Sequence, residues 1–289
     1  MVGSLLLLVS IFLPLQGGLL GKWEHENVLS VTFKKCNRMM SMRYLVTKIS
    51  LLLIFSFCLV LPVLGQFSLD LETGLIFPGY NDVRIPNQQG TIFDFNEDFD
   101  IEGPLIPFRI RPGYTFGRNH IFVLYAPLSA RYIGNPDFDI NFQDIQFDRN
   151  RETEGFYKFN SYRLTYRRDL IRDEKWILGV GFTAKIRDAR VSLSNETQLA
   201  FKDDIGFVPL LHLFVSYDTG TFRGVIEGDG LAGGPGRAFD FFGGVYIPLS
   251  NYFDLKAGYR ILEGGADVSE VYNFALFNFV SVGIIWGLK

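Results

Sequence analysis

The sequence predicts an all-β protein: a closed antiparallel transmembrane β-barrel of about ten strands, with eight or twelve as the alternatives. Three observations predict it. Apolar and polar residues alternate with a period of two from Gln66 almost to the C-terminus. The connections between the alternating segments switch between short and long. A leader of the kind that directs export precedes the first segment.

The leader comes first in the chain. From Met42 the sequence reads Met-Arg-Tyr-Leu-Val-Thr-Lys, then an apolar run from Ile49 to Leu61, then Pro62-Val-Leu-Gly65-Gln66. A basic start, a short apolar centre and a small residue at the end describe a secretory signal peptide over 42–65, with cleavage after Gly65. The apolar run is shorter than the ~20 residues a membrane-spanning helix needs. Residues 1–41 hold a second apolar stretch, Leu5 to Leu15, and end in Met39-Met-Ser-Met42, as an extended leader or a start codon placed too early would. The fold is therefore sought in 66–289.

That portion contains no cysteine, because Cys36 and Cys58 both precede it, so disulfides and thiolate metal sites are excluded there. It carries 22 basic and 29 acidic residues, a formal charge of about −7, which argues against a nucleic-acid partner.

The strands follow in order. Phe67, Leu69, Leu71, Thr73, Leu75 and Phe77 alternate with Ser68, Asp70, Glu72 and Gly74. In a membrane barrel the first set meets lipid and the second lines the lumen. The second strand sets Phe108, Ile110, Tyr114 and Phe116 against Arg109, Arg111, Gly113 and Thr115. The third is read with Phe122, Leu124, Ala126 and Leu128 facing lipid and Tyr125, Ser129 and Arg131 facing inward. Tyr162, Leu164 and Tyr166 oppose Ser161, Arg163, Thr165 and Arg167, and Trp176 to Ile186 oppose Gly179, Gly181, Thr183, Lys185 and Arg187. A sixth strand near 205–218 is apolar on both faces, which leaves its register open. Phe222 and Ile226 then oppose Glu227 and Asp229; Phe239, Phe241, Val245 and Ile247 oppose Asp240, Gly244 and Tyr246; Phe253 to Ile261 oppose Asp254, Lys256, Gly258 and Arg260. Val280, Val282, Ile284, Trp286 and Leu288 close the series.

Short turns are expected near 117–119, 170–174, 218–220 and 249–251. Longer links are expected near 78–102, 133–155 and 192–204, with Gly-rich ones at 232–237 and 263–270. Short turns on one side and long loops on the other are the habit of outer-membrane barrels, with both chain ends on the short-turn, periplasmic side.

The terminal stretch Val280-Ser-Val-Gly-Ile-Ile-Trp-Gly-Leu-Lys289 resembles the assembly strand of small outer-membrane barrel proteins. Gly258-Tyr-Arg-Ile-Leu-Glu-Gly-Gly265 and Tyr272-Asn-Phe-Ala275 are similar to stretches of uncharacterised barrels from Gram-negative bacteria. The resemblance covers 66–289 and implies fold and location, not activity. It also implies contact with outer-membrane lipid and lipopolysaccharide and with the barrel-assembly machinery. The chain departs from the pattern in ending Leu288-Lys289, where the family ends on an aromatic residue.

The charges expected in the lumen are Asp70, Glu72, Arg109, Arg111, Arg131, Arg163, Arg167, Lys185, Arg187, Glu227, Asp229, Asp240, Asp254, Lys256 and Arg260, with Glu263 at the margin. Bases dominate strands two to five and acids dominate strand one and strands seven to nine, so closure sets an acidic wall against a basic one. Unpaired buried charge is costly, so a salt-bridged, mostly plugged lumen is the ordinary expectation. The alternative is a narrow channel favouring small anionic solutes near the arginines. An outer-membrane hydrolase is a third reading. Omptin-type proteases, also ten-stranded, use acids with a histidine at the outer rim. Here His120 falls at a short turn and His212 in mid-strand, and barrel deacylases pair histidine with a serine two residues on, which neither has. No catalytic residue, cofactor or metal is expected. The first two long loops carry Asp94, Glu97, Asp98, Asp100 and Glu102, then Asp137, Asp139, Asp144 and Asp148, read as solvated loop charge or as cation or partner contacts.

Overall fold

The computed structural model describes residues 65–287. The expected leader segments 1–41 and 42–65, apart from Gly65, and the last two residues lie outside the described residues.

The described chain forms ten barrel strands: β1 (Gln66–Arg84), β2 (Phe108–Phe116), β3 (Asn119–Ala126, continued by Ser129–Gly134), β4 (Thr153–Arg172), β5 (Trp176–Ser194), β6 (Leu199–Asp218), β7 (Arg223–Gly233), β8 (Gly236–Pro248), β9 (Phe253–Val268) and β10 (Val271–Gly287). Each pairs antiparallel with its sequence neighbour, and β1 pairs with β10 from Ser68↔Gly287 onward, which closes the ring. Closure removes the sheet edges through the lower part of the belt, where water is absent, the condition for a sheet to cross a membrane; near its top the edge of β6 from Leu199 to Leu210 has no strand partner among the described residues. The break in β3 falls at Pro127, which has no N–H to give the ladder. There the Asn160 side chain accepts from Leu128 N at 3.3 Å, and Phe159 N donates to Leu128 O at 2.8 Å.

Side-chain direction divides the barrel into two storeys. In the lower one, the expected sense holds. Phe182 and Phe207 are among the most exposed residues of the outer face, while Asp70, Arg163, Lys185 and Asp240 are buried inside. Above it the same strands continue without a change of register, but the alternation inverts. On β5 the outward residues become Asp188, Arg190 and Ser192 and the inward ones Val191 and Leu193. On β10, Phe279, Phe277 and Ala275 turn inward. A strand of 20 residues is ~66 Å long, about twice what a membrane-crossing strand needs. The upper storey is thus apolar within and mostly polar outside, with Leu199 and Phe201 of β6 as exposed exceptions, the pattern expected of a barrel end that stands in water.

Several sequence expectations are corrected here. The link at 192–204 is mostly strand: only Asn195–Gln198 turns, with Asn195 Oδ1 accepting from the amides of Thr197 and Gln198 at 3.0 and 2.8 Å. The links at 232–237 and 263–270 likewise shrink to tight turns. The facing of β3 is reversed. Leu124, Ala126, Leu128, Ala130 and Tyr132 are buried inside, and Val123, Tyr125 and Arg131 lie on the exposed outer face. From Leu128 upward the reason is that the lumen is itself apolar; lower down Leu124, the register partner of Arg163, stands among the ions, and both faces of the strand are apolar.

The two long loops, 85–107 and 135–152, explain why. They fold into the upper storey and carry Ile85, Phe93, Phe95, Phe99, Ile140, Phe142 and Phe147 against Val83, Tyr132, Tyr157, Leu193 and Phe277 of the wall. Phe95 stacks on Tyr132 at 4.6 Å between centroids and meets Phe93 edge-on at 5.1 Å. Gly155 makes room for it, since a Cβ there would come within 2.3 Å of the Phe95 ring. The loops are tied together by Gln143 N donating to Ile85 O and Thr91 N to Asn141 O, both at 2.9 Å. Burial at ~1.5–3 kcal/mol per large side chain is what offsets the entropy of ordering loops this long.

Candidate functional site

The lower lumen, beneath the apolar lid, holds the charged residues. Six buried carboxylates (Asp70, Glu72, Asp169, Glu227, Asp229 and Asp240) interlock with six cations (Arg109, Arg111, Arg163, Arg167, Lys256 and Arg260). Strand alternation puts them all on one face, and barrel closure brings the walls into contact. Arg111 of β2 crosses to Glu227 of β7, donating to both carboxylate oxygens at 2.6 and 2.9 Å, and also reaches Asp70 at 2.9 Å. Asp240 of β8 receives Arg163 at 2.7 Å, Arg109 at 3.1 Å and Arg260 at 2.5 Å. Glu72 of β1 receives Lys256 at 2.6 Å, the two nitrogens of Arg260 at 2.7 and 2.8 Å, and the Ser281 hydroxyl at 3.1 Å. Asp229 accepts from Arg163 at 2.8 Å and Thr183 at 2.6 Å, and pairs with His212 Nδ1 at 2.8 Å.

Aromatic rings fill the space between the ions. Arg167 lies over Phe214 at 4.0 Å, and Lys256 and Arg260 lie over Phe242 at 4.7 and 5.3 Å. What free space remains among the ions is about 30 Å³, room for about two waters. In a low-dielectric lumen such multiply bonded pairs attract strongly, and removing one partner strands the others.

The placement of the remaining expected residues differs. Lys185 is buried above the network, its ammonium 4.6 Å from the Phe159 ring centroid. Arg187 pairs with Asp204 on β6, near the base of the upper storey. Asp254 faces inward at the short-turn mouth and is half-buried. Arg131 is not in the lumen: it stands exposed on the outer face of β3. Glu263 is also on the outer face, accepting from Arg237 at 2.8 Å and Tyr80 at 2.7 Å. Asp169, His212 and Ser281 join the network without having been expected there, and Thr183, expected on the inward face, bonds to Asp229. Asp169 shares the face of Arg163 and Arg167 and was legible from alternation alone. His212 needed the register of β6.

The loop acids serve the backbone. Asp94 Oδ1 accepts from the amides of Asn81 and Asn96 at 3.0 and 2.7 Å, and Asp98 Oδ2 accepts from Asp94 N at 2.8 Å. In the second loop Arg149 donates to both oxygens of Asp139, which holds that carboxyl below its ordinary value. No cluster of three metal-ligating side chains occurs among the described residues.

At the short-turn end, Thr115 Oγ1 lies 2.8 Å from His120 Nδ1, and His120 Nε2 lies 2.9 Å from Asp169 Oδ2. Thr115 and His120 are register partners on β2 and β3, so their hydrogen bond is that of a cross-strand pair.

Ten strands, an apolar outer belt and an ionic interior decide the class. The chain is a closed membrane barrel. No family model matches it, and no curated protein matches it. Similar solved structures include Ail, the attachment invasion locus protein of Yersinia pestis, with 10% identity over 78% of this chain and 99% of that one, at a TM-score of 0.35. The outer membrane protease OmpT of Escherichia coli is 12% identical over 77% of this chain and 97% of that one, at 0.44. Neisserial surface protein A is 14% identical over 76% and 96%, at 0.32. These likenesses concern fold, and the three proteins differ in role.

Proposed function

We propose that the barrel resides in a bacterial outer membrane, reached through a signal peptide cleaved after Gly65. There it serves a structural or surface-binding role with its lumen shut. Outer-membrane lipid and lipopolysaccharide surround its apolar belt, and the barrel-assembly machinery inserts it. The observation that carries this reading is the double closure: an ionic network with about 30 Å³ of free space, lidded by a packed aromatic core. A conduit needs a continuous wet path and binding weak enough to release its solute. Guanidinium–carboxylate pairs bonded on both sides offer neither. The upper storey lifts polar strand ends and loops clear of the membrane, where a surface partner would meet them.

Liposome swelling tests it. Vesicles carrying the protein should swell in isosmotic arabinose no faster than empty ones; swelling that scales with protein content favours the narrow-channel reading instead. The hydrolase reading draws on the Thr115–His120–Asp169 string, since a hydroxyl, an imidazole and a carboxylate in line are the parts of a nucleophilic relay. Hydrolysis of short-chain p-nitrophenyl esters that disappears in Thr115→Ala would establish it; equal background rates in both would reject it.

A further inference from the structure

The ion balance of the lumen is uneven at one place. The six buried carboxylates are matched by six cations, and Lys185 is a seventh. It is 2% exposed, and among the described residues no carboxylate oxygen lies within 4.0 Å of its ammonium; its one polar contact is the face of Phe159. Two residues further along β5, Arg187 points to the same side. One terminal nitrogen of Arg187 meets Asp204, but its Nε is buried without a partner. Two adjacent inward cations thus hold unspent positive charge and an unspent N–H, which is costly unless something fills them.

The wall is incomplete beside them. On β6, Val208 is the register partner of Lys185 and Gly206 that of Arg187. The next strand, β7, pairs with β6 only from Leu211↔Gly230 downward. From Leu199 to Leu210 the far edge of β6 has no strand partner among the described residues, because the β7–β8 hairpin turns back at Gly234–Pro235. Higher up, Lys202 reaches across to Glu270 in the β9–β10 turn at 2.7 Å and bounds the gap from above. Inward-facing residues around it, Gly206 and Val208 on β6, Ala238 on β8 and Leu262 and Gly264 on β9, are half-buried, unlike the fully packed lid opposite. Just outside, Ile205 and Phe207 are 77% and 67% exposed at the top of the apolar belt.

The geometry points to a binding site for an anionic amphiphile that enters sideways through this gap. Its anionic head, a carboxylate or phosphate, rests on Lys185 and the free Arg187 Nε, and its acyl chain lies out along Val208 and Phe207. The charge defines the head, and the apolar rim at membrane height defines the tail. A small inorganic anion would satisfy the first feature and not the second.

The test uses the protein purified from outer membranes of an expressing host, in micelles, with a dansyl-labelled fatty acid as probe. Saturable binding is expected, displaced by oleate and by lysophosphatidate but not by acetate or inorganic phosphate at the same concentration. Lys185→Met should weaken it about tenfold or more, as loss of one charge-assisted contact does. Arg187→Met should weaken it less, and Val208→Trp should block it by filling the gap. Displacement by inorganic phosphate alone would reduce the site to a simple anion pocket and overturn the amphiphile. Binding unchanged in Lys185→Met, or no saturable binding at all, overturns the site. A heat-modifiable shift on a denaturing gel, run on every variant, separates these outcomes from a barrel that failed to form.

Discussion

Replacing Asp240 with alanine removes one carboxylate from under three guanidinium groups at once. Asp240 is 2% exposed and receives Arg163 at 2.7 Å, Arg260 at 2.5 Å and Arg109 at 3.1 Å. The three donors are not equally dependent on it. Arg260 keeps Glu72 at 2.7 Å and Arg163 keeps Asp229 at 2.8 Å, whereas Arg109 is left with a Glu72 oxygen at 3.8 Å. The variant therefore strands about one buried positive charge and weakens two more pairs. Breaking a buried pair from one side costs about 3–5 kcal/mol, and the third partner places Asp240→Ala at the upper end. With a slope of ~2 kcal/mol per molar urea, that is a midpoint lower by about 2.5 M. The assay is equilibrium urea unfolding in lipid vesicles. Trp176 and Trp286, both on the outer face near the short-turn end, report loss of the lipid environment. Asp240→Asn keeps the shape and part of the hydrogen bonding, so it should fall between. A midpoint shift in Asp240→Ala of less than about 0.5 M would refute the claim that this network is a mutually dependent plug.

The lid makes its own predictions. Phe95→Ala removes a fully buried ring at a cost of about 3–5 kcal/mol, and Gly155→Val drives a side chain into the same ring. Both should render loop 85–107 sensitive to protease while the heat-modifiable shift persists. Arg109→Ala/Arg111→Ala/Arg163→Ala loosens the ions but leaves the aromatic lid, so liposome swelling should stay at the wild-type level until residues 91–105 are also deleted. Fast swelling in the triple variant alone would mean that the lid does not seal. The Asp139–Arg149 pair in the second loop depends on pH with a definite sign. The folded carboxyl titrates below its ordinary value of 3.8, so the contribution is complete above that value and is lost as pH falls through the lowered one. Protease nicking of 135–152 should rise only as pH falls below the ordinary carboxyl value of 3.8, and in Asp139→Asn it should be raised already at neutral pH.

The lower storey was legible because its chemistry is uniform along each strand. Arg163 and Arg167, like Lys256 and Arg260, fall four residues apart among outward Leu, Tyr and Ile, and no other arrangement of those residues suits a bilayer. The upper storey was legible only as loops, for a physical reason. Its strands stand in water, so Asp188, Arg190 and Ser192 turn outward and Val191 and Leu193 inward, and a rule that sends apolar residues outward finds the strand ending at Ile186. The same rule misplaces Arg131, because both faces of β3 are apolar and the lumen from Leu128 to Tyr132 is filled by the lid. The lid itself was written into the two acidic loops as Phe93, Phe95, Phe99, Phe142 and Phe147. Nothing local in those stretches says that the rings fold inward while Asp94 and Asp98 turn back to hold backbone amides. The gap beside β6 was not legible at all, since it depends on where the β7–β8 hairpin turns back.

A lumen shut by ions below and aromatic packing above carries no current, and single-channel recording of the purified protein in planar bilayers tests this most directly. Wild type should insert and stay electrically silent across the voltage range the membrane tolerates, with insertion verified by the heat-modifiable shift of the same sample. Steady, ion-selective conductance steps from the wild-type protein would contradict it.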